Sequence, residues 1–327
     1  MYLVTGGAGF IGSHIARRLS AVGEGVRVLD NFSYGNSENL RGLERRIEVI
    51  RGDILDPVIM EKAMAGVEVV FHQAALRSVP FSVEHPLLVN RVNVDGTLSV
   101  LHAARHAGAR RVVFASSSSV YGNEARLPAS EDQLPKPISP YGVSKLVGEH
   151  YCRVFTELYG LETVSLRYFN VFGPRQDPHS EYAAVIPRFI HRVLSGVPLE
   201  VHGDGLQSRD FTYVDNVVEA NLLAAKVPQA SGGVFNVGQG KAYRLMDLID
   251  LLRRILGCEL SWVHTPARSG DIRSTLADVS RAHRIMGFRP VTSFAEGVAK
   301  TVEHIAVEFY RLSGESPVRE QLASVSA

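Results

Sequence analysis

Tyr2-Leu3-Val4-Thr5-Gly6-Gly7-Ala8-Gly9-Phe10-Ile11-Gly12 is the stretch on which the fold turns. A short apolar run passes directly into glycines at 6, 9 and 12 and then into a helix-period segment over 11–22. Between a strand and a helix these glycines have separate tasks. Gly6 permits a tight turn, Gly9 lets the backbone approach a pyrophosphate, and Gly12 lets helix and strand pack closely. Phe10 and Ile11 start the helix, whose N-terminus then faces the phosphates. Asp30 ends the second strand candidate, where its carboxylate can accept hydrogen bonds from both adenosine ribose hydroxyls and repel a 2′-phosphate. The pattern therefore predicts NAD rather than NADP, unless Arg27 or Arg41 swings in. Gly52-Asp53-Ile54 places another carboxylate at a strand end, facing the cofactor or serving as the acid at a helix N-terminus.

Outward from this unit, short β-branched runs alternate with helix-period stretches. Strands are expected at 2–5, 26–29, 47–50, 67–71, 112–115 and 163–168, and helices over 11–22, 57–64, 89–107 and 141–159. Such alternation predicts an α/β fold, a doubly wound parallel sheet of Rossmann type with helices on both faces. Ligands of that architecture bind outside the carboxyl ends of the strands. Beyond about Asn170 the regularity gives way to Pro-, Gly- and polar-rich segments with further helices. The expected organisation is an NAD-binding domain over 1–170, to which some later segments return, and a smaller, mixed C-terminal substrate lobe over 171–312. Late helices are expected at 245–256, stopped by Gly257, and from 294 to about 310 behind a Ser293/Glu296 capping box. The polar tail 313–327 has little to bury and is expected to be mobile.

The composition excludes several classes. The 327 residues carry 35 Lys and Arg against 34 Asp and Glu, a formal charge of +1, which leaves no general basic footprint for nucleic acid or anionic lipid. No apolar run reaches the roughly twenty residues that span a bilayer. The chain opens on Met1-Tyr2-Leu3-Val4-Thr5 with no basic-then-apolar leader, so a cytoplasmic protein is expected. Cys152 and Cys258 stand far apart and in no metal-ligand spacing, as suits a reduced compartment. Among twelve histidines, His102 and His106 are four apart without an intervening Glu, so no metal site is expected.

Tyr141 and Lys145 lie four apart in a segment that starts after Pro140, so their side chains share a helix face. A free phenol, pKa about 10, is only about a thousandth ionised at pH 7. Lowering that pKa by about three units takes roughly 4 kcal/mol of preferential phenolate stabilisation, which the ammonium one turn away and a positive nicotinamide would supply in a water-poor cleft. Upstream, the 112–115 strand delivers Ser116-Ser117-Ser118-Ser119 to its carboxyl end, where hydroxyls can hydrogen-bond a reacting alcohol or ketone. Alone, these residues describe an amphipathic helix and a serine turn. Their company with the glycine loop gives them chemical meaning.

With these motifs in hand, the chain resembles the extended short-chain dehydrogenase/reductase family, and within it the NAD-dependent nucleotide-sugar 4-epimerases. The resemblance rests on the glycine loop, Asp30-Asn31, Gly52-Asp53, His72-Gln73-Ala74-Ala75, Asn93 to Gly96, the serines before Val120-Tyr121-Gly122, and Ser139-Pro140-Tyr141-Gly142-Val143-Ser144-Lys145. It continues through Arg167-Tyr168-Phe169-Asn170-Val171-Phe172-Gly173-Pro174-Arg175-Gln176, Arg209-Asp210-Phe211 and Gly270-Asp271. It implies that Tyr141 is the acid/base, that Lys145 lowers its pKa and holds the nicotinamide ribose, and that Ser117, with Ser118 beside it, donates to the sugar. It further implies cofactor contacts from Asn31, Asp53, Ile54, Gln73, Ala74, Ala75, Arg77, Asn93 and Tyr168. On the substrate side it implies Arg209 and Arg268 clamping a UDP diphosphate, Asp271 holding its ribose, and Asn170 touching the sugar or phosphate.

The implied reaction is inversion at C4 of a UDP-hexose through a 4-keto intermediate. Relatives that dehydrate or decarboxylate the sugar carry acidic residues where this chain has Ser117-Ser118-Ser119, and glucuronate-specific epimerases often place Thr at Asn170 and Arg at Asp177. UDP-glucose or UDP-N-acetylglucosamine is therefore the favoured substrate, with a UDP-glucuronate epimerase, a dehydratase or a decarboxylase as alternatives. Thr275, at a position that separates plain from N-acetylated hexoses, is small and hints at tolerance of the N-acetyl group. An NAD-binding sensor without chemistry is the non-enzymatic alternative. The resemblance also implies a homodimer through the 89–107 and 141–159 helices.

Overall fold

Alternate residues of the central strands belong to different cores, and this parity builds the layers. Val4, Val28, Phe71 and Val113 pack on one face, while Leu3, Leu29, Val70 and Val112 pack on the other. The computed structural model describes residues 1–178, 184–266 and 272–313. Its main sheet contains β1 (Tyr2–Thr5), β2 (Val26–Asp30), β3 (Ile47–Arg51), β4 (Val69–His72), β5 (Arg111–Ser117), β6 (Glu162–Tyr168) and β7 (Val234–Val237). The order is β7-β6-β5-β4-β1-β2-β3, with every pairing parallel. Helices α1 (Phe10–Ala21) and α5 (Val214–Lys226) cover the first face through Ile15, Leu19, Val217 and Ala224. Helices α2 (Pro57–Met64), α3 (Gly96–His106) and α4 (Pro140–Tyr159) cover the second through Met60, Leu101, Cys152 and Phe155.

Local chemistry sets the ends of α4, the helix that matters most for the site. The Ser139 hydroxyl accepts the Gly142 N–H at 3.1 Å, Pro140 occupies the first turn, and Gly160 closes the helix at φ +70°. The second lobe has a separate aromatic core of Phe172, Phe211, Tyr213 and Phe294, packed with the helix Val185–Leu194, α6 (Leu245–Leu256) and α7 (Phe294–Ser313). α6 ends at Gly257, at φ +62°, as its sequence indicates.

Three elements differ from the sequence expectations. The helix expected over 89–107 begins as Pro86–Asn90 and passes through a wide π turn, Arg91–Asp95, before α3. That turn contains Asn93, whose buried amide reaches out of the helix to the Leu76 main chain. The short helix Val79–Glu84, capped by Ser78, is additional. So is β7, which joins the sheet from beyond residue 170. It carries a buried Asn236, a poor strand former that is kept there by donating to the Ala129 and Asp278 carbonyls. α7 runs to Ser313, and the rest of the expected tail lies outside the described residues.

Candidate active site

The chain runs outward from β1 through β2 and β3 on one side and from β4 to β7 on the other, so the sheet has its switch point between β1 and β4. A cavity of about 1050 Å3 opens at the carboxyl ends of these strands. The glycine loop forms one wall. Gly6 sits at φ +66°, where a Cβ would stand 2.7 Å from the Ala74 nitrogen. A Cβ on Gly12 would run into the Gly6 carbonyl oxygen. Gly6, Gly9, Phe10, Ile11 and Gly12 all line the cavity, so backbone and helix N-terminus are open to a phosphate, as a dinucleotide requires.

Asp30 is buried with its carboxylate pinned by the Ala8 N–H (2.9 Å) and the Phe32 N–H (2.8 Å). Burial pushes its pKa above the ordinary aspartate value, against the opposing pull of those two bonds. Neither arginine suspected of neutralising it does so. Arg27 pairs with Glu48 at 2.7 Å and donates to the Ala63 and Ala65 carbonyls, and Arg41 pairs with Glu38 at 2.9 Å. The ambiguity at Asp53 is also resolved: Asp56 caps α2, while Asp53 accepts from Asn31 Nδ2 at 2.9 Å and from the Leu55 N–H, on the cavity wall with Asn31 and Ile54.

Tyr141, Lys145, Ser117 and Ser118 meet at the other end of the cavity. Ser117 and the guanidinium of Arg77 both stand near the Tyr141 phenol and favour its ionised form. Burial nevertheless holds its phenol above the ordinary tyrosine value; Ser117 and Arg77 pull the other way. Lys145 donates to the Ala115 carbonyl at 2.8 Å, stands 5.9 Å from the centre of the Tyr141 ring, and is itself lowered to about 8 by burial.

Gln73, Ala74, Ala75, Arg77 and Tyr168 complete the wall, and the Tyr168 hydroxyl is tied to Gln73 (3.1 Å) and Asn221 (3.0 Å). Asn93 stands behind that wall rather than in it. Its amide brackets the Leu76 main chain (2.8 and 3.0 Å) and donates to the Ser144 hydroxyl, so it positions the wall and the Tyr141 helix. His72, also buried, bridges Thr5 and Thr97 at 2.8 and 3.0 Å; burial pushes it down to about 3, making it a neutral strut.

On the substrate side Asn170 lines the cavity at φ +29° and accepts from the Thr275 hydroxyl at 3.0 Å. That hydroxyl in turn accepts the Asp210 N–H at 3.1 Å. Thr275 and Arg209 thus sit just beyond the lining residues, with Arg209 donating to the Ser208 carbonyl at 2.9 Å. Arg268 and Asp271 lie outside the described residues.

Residues 2–238 match the model of the NAD dependent epimerase/dehydratase family. The chain belongs to that family. Relatives span nearly the whole of both chains. The UDP-glucose 4-epimerase of Mycolicibacterium smegmatis is 42% identical over 305 residues, covering 92% of this chain and 97% of its own. The structure of a UDP-N-acetylglucosamine 4-epimerase from Methanobrevibacter ruminantium M1, in complex with UDP-N-acetylmuramic acid, superposes with a TM-score of 0.90 at 40% identity, covering 94% of this chain and 98% of that one. The Thermus thermophilus UDP-glucose 4-epimerase complexed with NAD gives 0.85 at 39% identity, over 93% and 98%.

As a member of the NAD-dependent family, the chain has a cradle that fits NAD: glycines where a Cβ would clash, a helix N-terminus and the pinned Asp30 carboxylate on the cavity wall. Sequence reasoning did not assign Arg175, Gln176 or the end of α7, all of which line the same cavity. Arg175 and Gln176 lie within the run quoted for the resemblance but carry no spacing signal. The α7 residues approach from the far end of the chain.

Proposed function

We propose that this enzyme inverts C4 of an uncharged UDP-hexose through a transient 4-keto sugar, acting on UDP-glucose/UDP-galactose, UDP-N-acetylglucosamine/UDP-N-acetylgalactosamine, or both. The observation that carries this reading is the Tyr141 phenol, on the wall of the cofactor cavity beside Ser117 and with Lys145 on the same helix face. NAD, when bound, supplies the hydride acceptor and donor and a positive charge beside the phenol. Tyr141 takes the proton of the C4 hydroxyl and returns it to the same oxygen after the sugar has turned over. Ser117, beside the phenol, donates a hydrogen bond to the same sugar oxygen. Lys145, anchored on Ala115, keeps a cation beneath the reacting face.

Two features favour a neutral sugar and simple inversion. Asp177 lines the cavity, and a carboxylate there repels a uronate. The Ser116 to Ser119 strip holds no acid to expel a hydroxyl or assist decarboxylation. Thr275 is small and already tied to Asn170, which leaves room for an N-acetyl group. Separate incubation with UDP-glucose, UDP-N-acetylglucosamine and UDP-glucuronate, followed by chromatography, should yield C4 epimers from one or both neutral sugars. Epimerisation of UDP-glucuronate alone overturns the reading.

The enzyme is further proposed to be a homodimer, paired through α3 and α4. A groove between them is lined by Leu98, His102, Tyr151 and Val154, and Leu158 beside it is 71% exposed. Light scattering should give twice the chain mass, and Leu158→Glu should shift it toward the monomer; a wild-type monomer removes the proposal. Among the described residues no helix is long and apolar enough to cross a membrane. The free thiols Cys152 and Cys258 suit the reducing cytoplasm, and exclusive recovery outside it would remove that placement.

A further inference from the structure

Among the described residues three that are not glycine have positive φ: Phe32, Asn170 and Arg175, the last at +66°. Such backbone is strained for an L-residue and persists where its surroundings hold it. At Arg175 the surroundings are specific. The preceding carbonyl, that of Pro174, receives a hydrogen bond from His14 of α1 at 3.0 Å, which fastens this second-lobe loop beside the helix whose N-terminus serves the cofactor phosphates. Gly173 before it leaves no room for a Cβ, which would stand 2.6 Å from Val214.

The Arg175 side chain lines the cavity together with Gly9, Phe10 and Ile11. It makes no hydrogen bond and no ion pair with any described residue, although the carboxylates of Glu308 and Asp215 face it from α7 and α5. Burial lowers its pKa, so its charge is partly desolvated without a direct partner. Arg17 of α1 adds a second cation nearby, with its own donors spent on the Asn39 and Arg41 carbonyls. A forked guanidinium without a partner, opposite a phosphate-binding helix end, suits a diphosphate.

We propose that Arg175 is a ligand of the NAD pyrophosphate contributed by the second lobe, and that with the end of α7 it clasps the cofactor in place. α7 supplies the rest of the clasp. Glu308, Phe309 and Arg311 line the cavity opposite the Tyr34 to Asn39 segment, and Arg311 stands 4.0 Å from Glu38 of that segment. One side of the dinucleotide site is thus built by the lobe that receives the sugar nucleotide. The pinning of Pro174 to α1 assigns Arg175 to the NAD diphosphate rather than that of UDP.

The inference concerns the dinucleotide and holds whichever sugar is epimerised. Arg175→Gly tests it without endangering the fold, because glycine relaxes at φ +66° while the guanidinium disappears. After removal of bound dinucleotide, titration calorimetry should show NAD binding weakened about ten- to hundredfold in Arg175→Gly, with Arg175→Lys in between and UDP affinity within about twofold of wild type. The NAD-induced rise in melting temperature should shrink in the same order. Unchanged NAD affinity in both variants, or a loss of UDP affinity in place of NAD affinity, overturns the assignment.

Discussion

Tyr141→Phe should abolish epimerisation while the protein keeps its NAD. The phenyl ring fills the same space on the cavity wall, and Lys145 still anchors on the Ala115 carbonyl, so the cofactor end is undisturbed. What disappears is the oxygen beside Ser117, the group proposed to exchange a proton with the sugar. A positioned acid/base contributes about 10²- to 10⁴-fold, so at least that loss in kcat is expected. KM should move far less, because the contacts proposed for the nucleotide half of the substrate do not involve Tyr141. Turnover by chromatography and NAD content by absorbance after denaturation provide the two readings. A variant that keeps more than about a tenth of wild-type kcat removes Tyr141 from the role of base.

The second large effect concerns stability. Glu149 lies one turn beyond Lys145 on α4 and is 5% exposed; Arg167 on β6 is 3% exposed. The Glu149 carboxylate accepts from Arg167 at 2.9 and 2.7 Å and from the Ser116 hydroxyl at 2.5 Å. It therefore joins the three elements that carry Ser117, Tyr141 and Tyr168. Arg167 also stacks over the Tyr121 ring at 4.7 Å, and burial pushes that phenol up to about 12. Glu149→Ala strands the guanidinium in the core and should cost roughly 3–5 kcal/mol in a urea unfolding experiment. Replacing both partners, Glu149→Met with Arg167→Met, should recover much of that loss, because no buried charge is left unpaired. A single-variant cost below about 1 kcal/mol would show that the pair is dispensable.

Much of this architecture was legible because its determinants are local. Ser139-Pro140 and Gly160 bracket α4 by capping chemistry alone, and the sheet strands up to β6 were visible as β-branched runs. β7 was hidden because its Val-Phe-Asn-Val run holds a polar residue at its centre, which becomes tolerable only through partners from residues 121, 129 and 278. The π turn at Asn93 was hidden for the same reason: its cause is a contact with Leu76, which the helical period does not encode.

The chain sequence by itself determined the NAD cradle, the place of Asp30 at the end of β2 and the pairing of Tyr141 with Lys145 on one face. Each follows from steric or periodic rules acting over a few residues. The tertiary structure decided which groups reach the cavity from a distance and what charge each bears there. It brought Arg175 and the end of α7 to the wall of the cavity, left Asn93 behind that wall, and set burial against the Tyr141 phenol. Those outcomes depend on long-range packing and on the dielectric it creates, and neither is written in the spacing of residues along the chain.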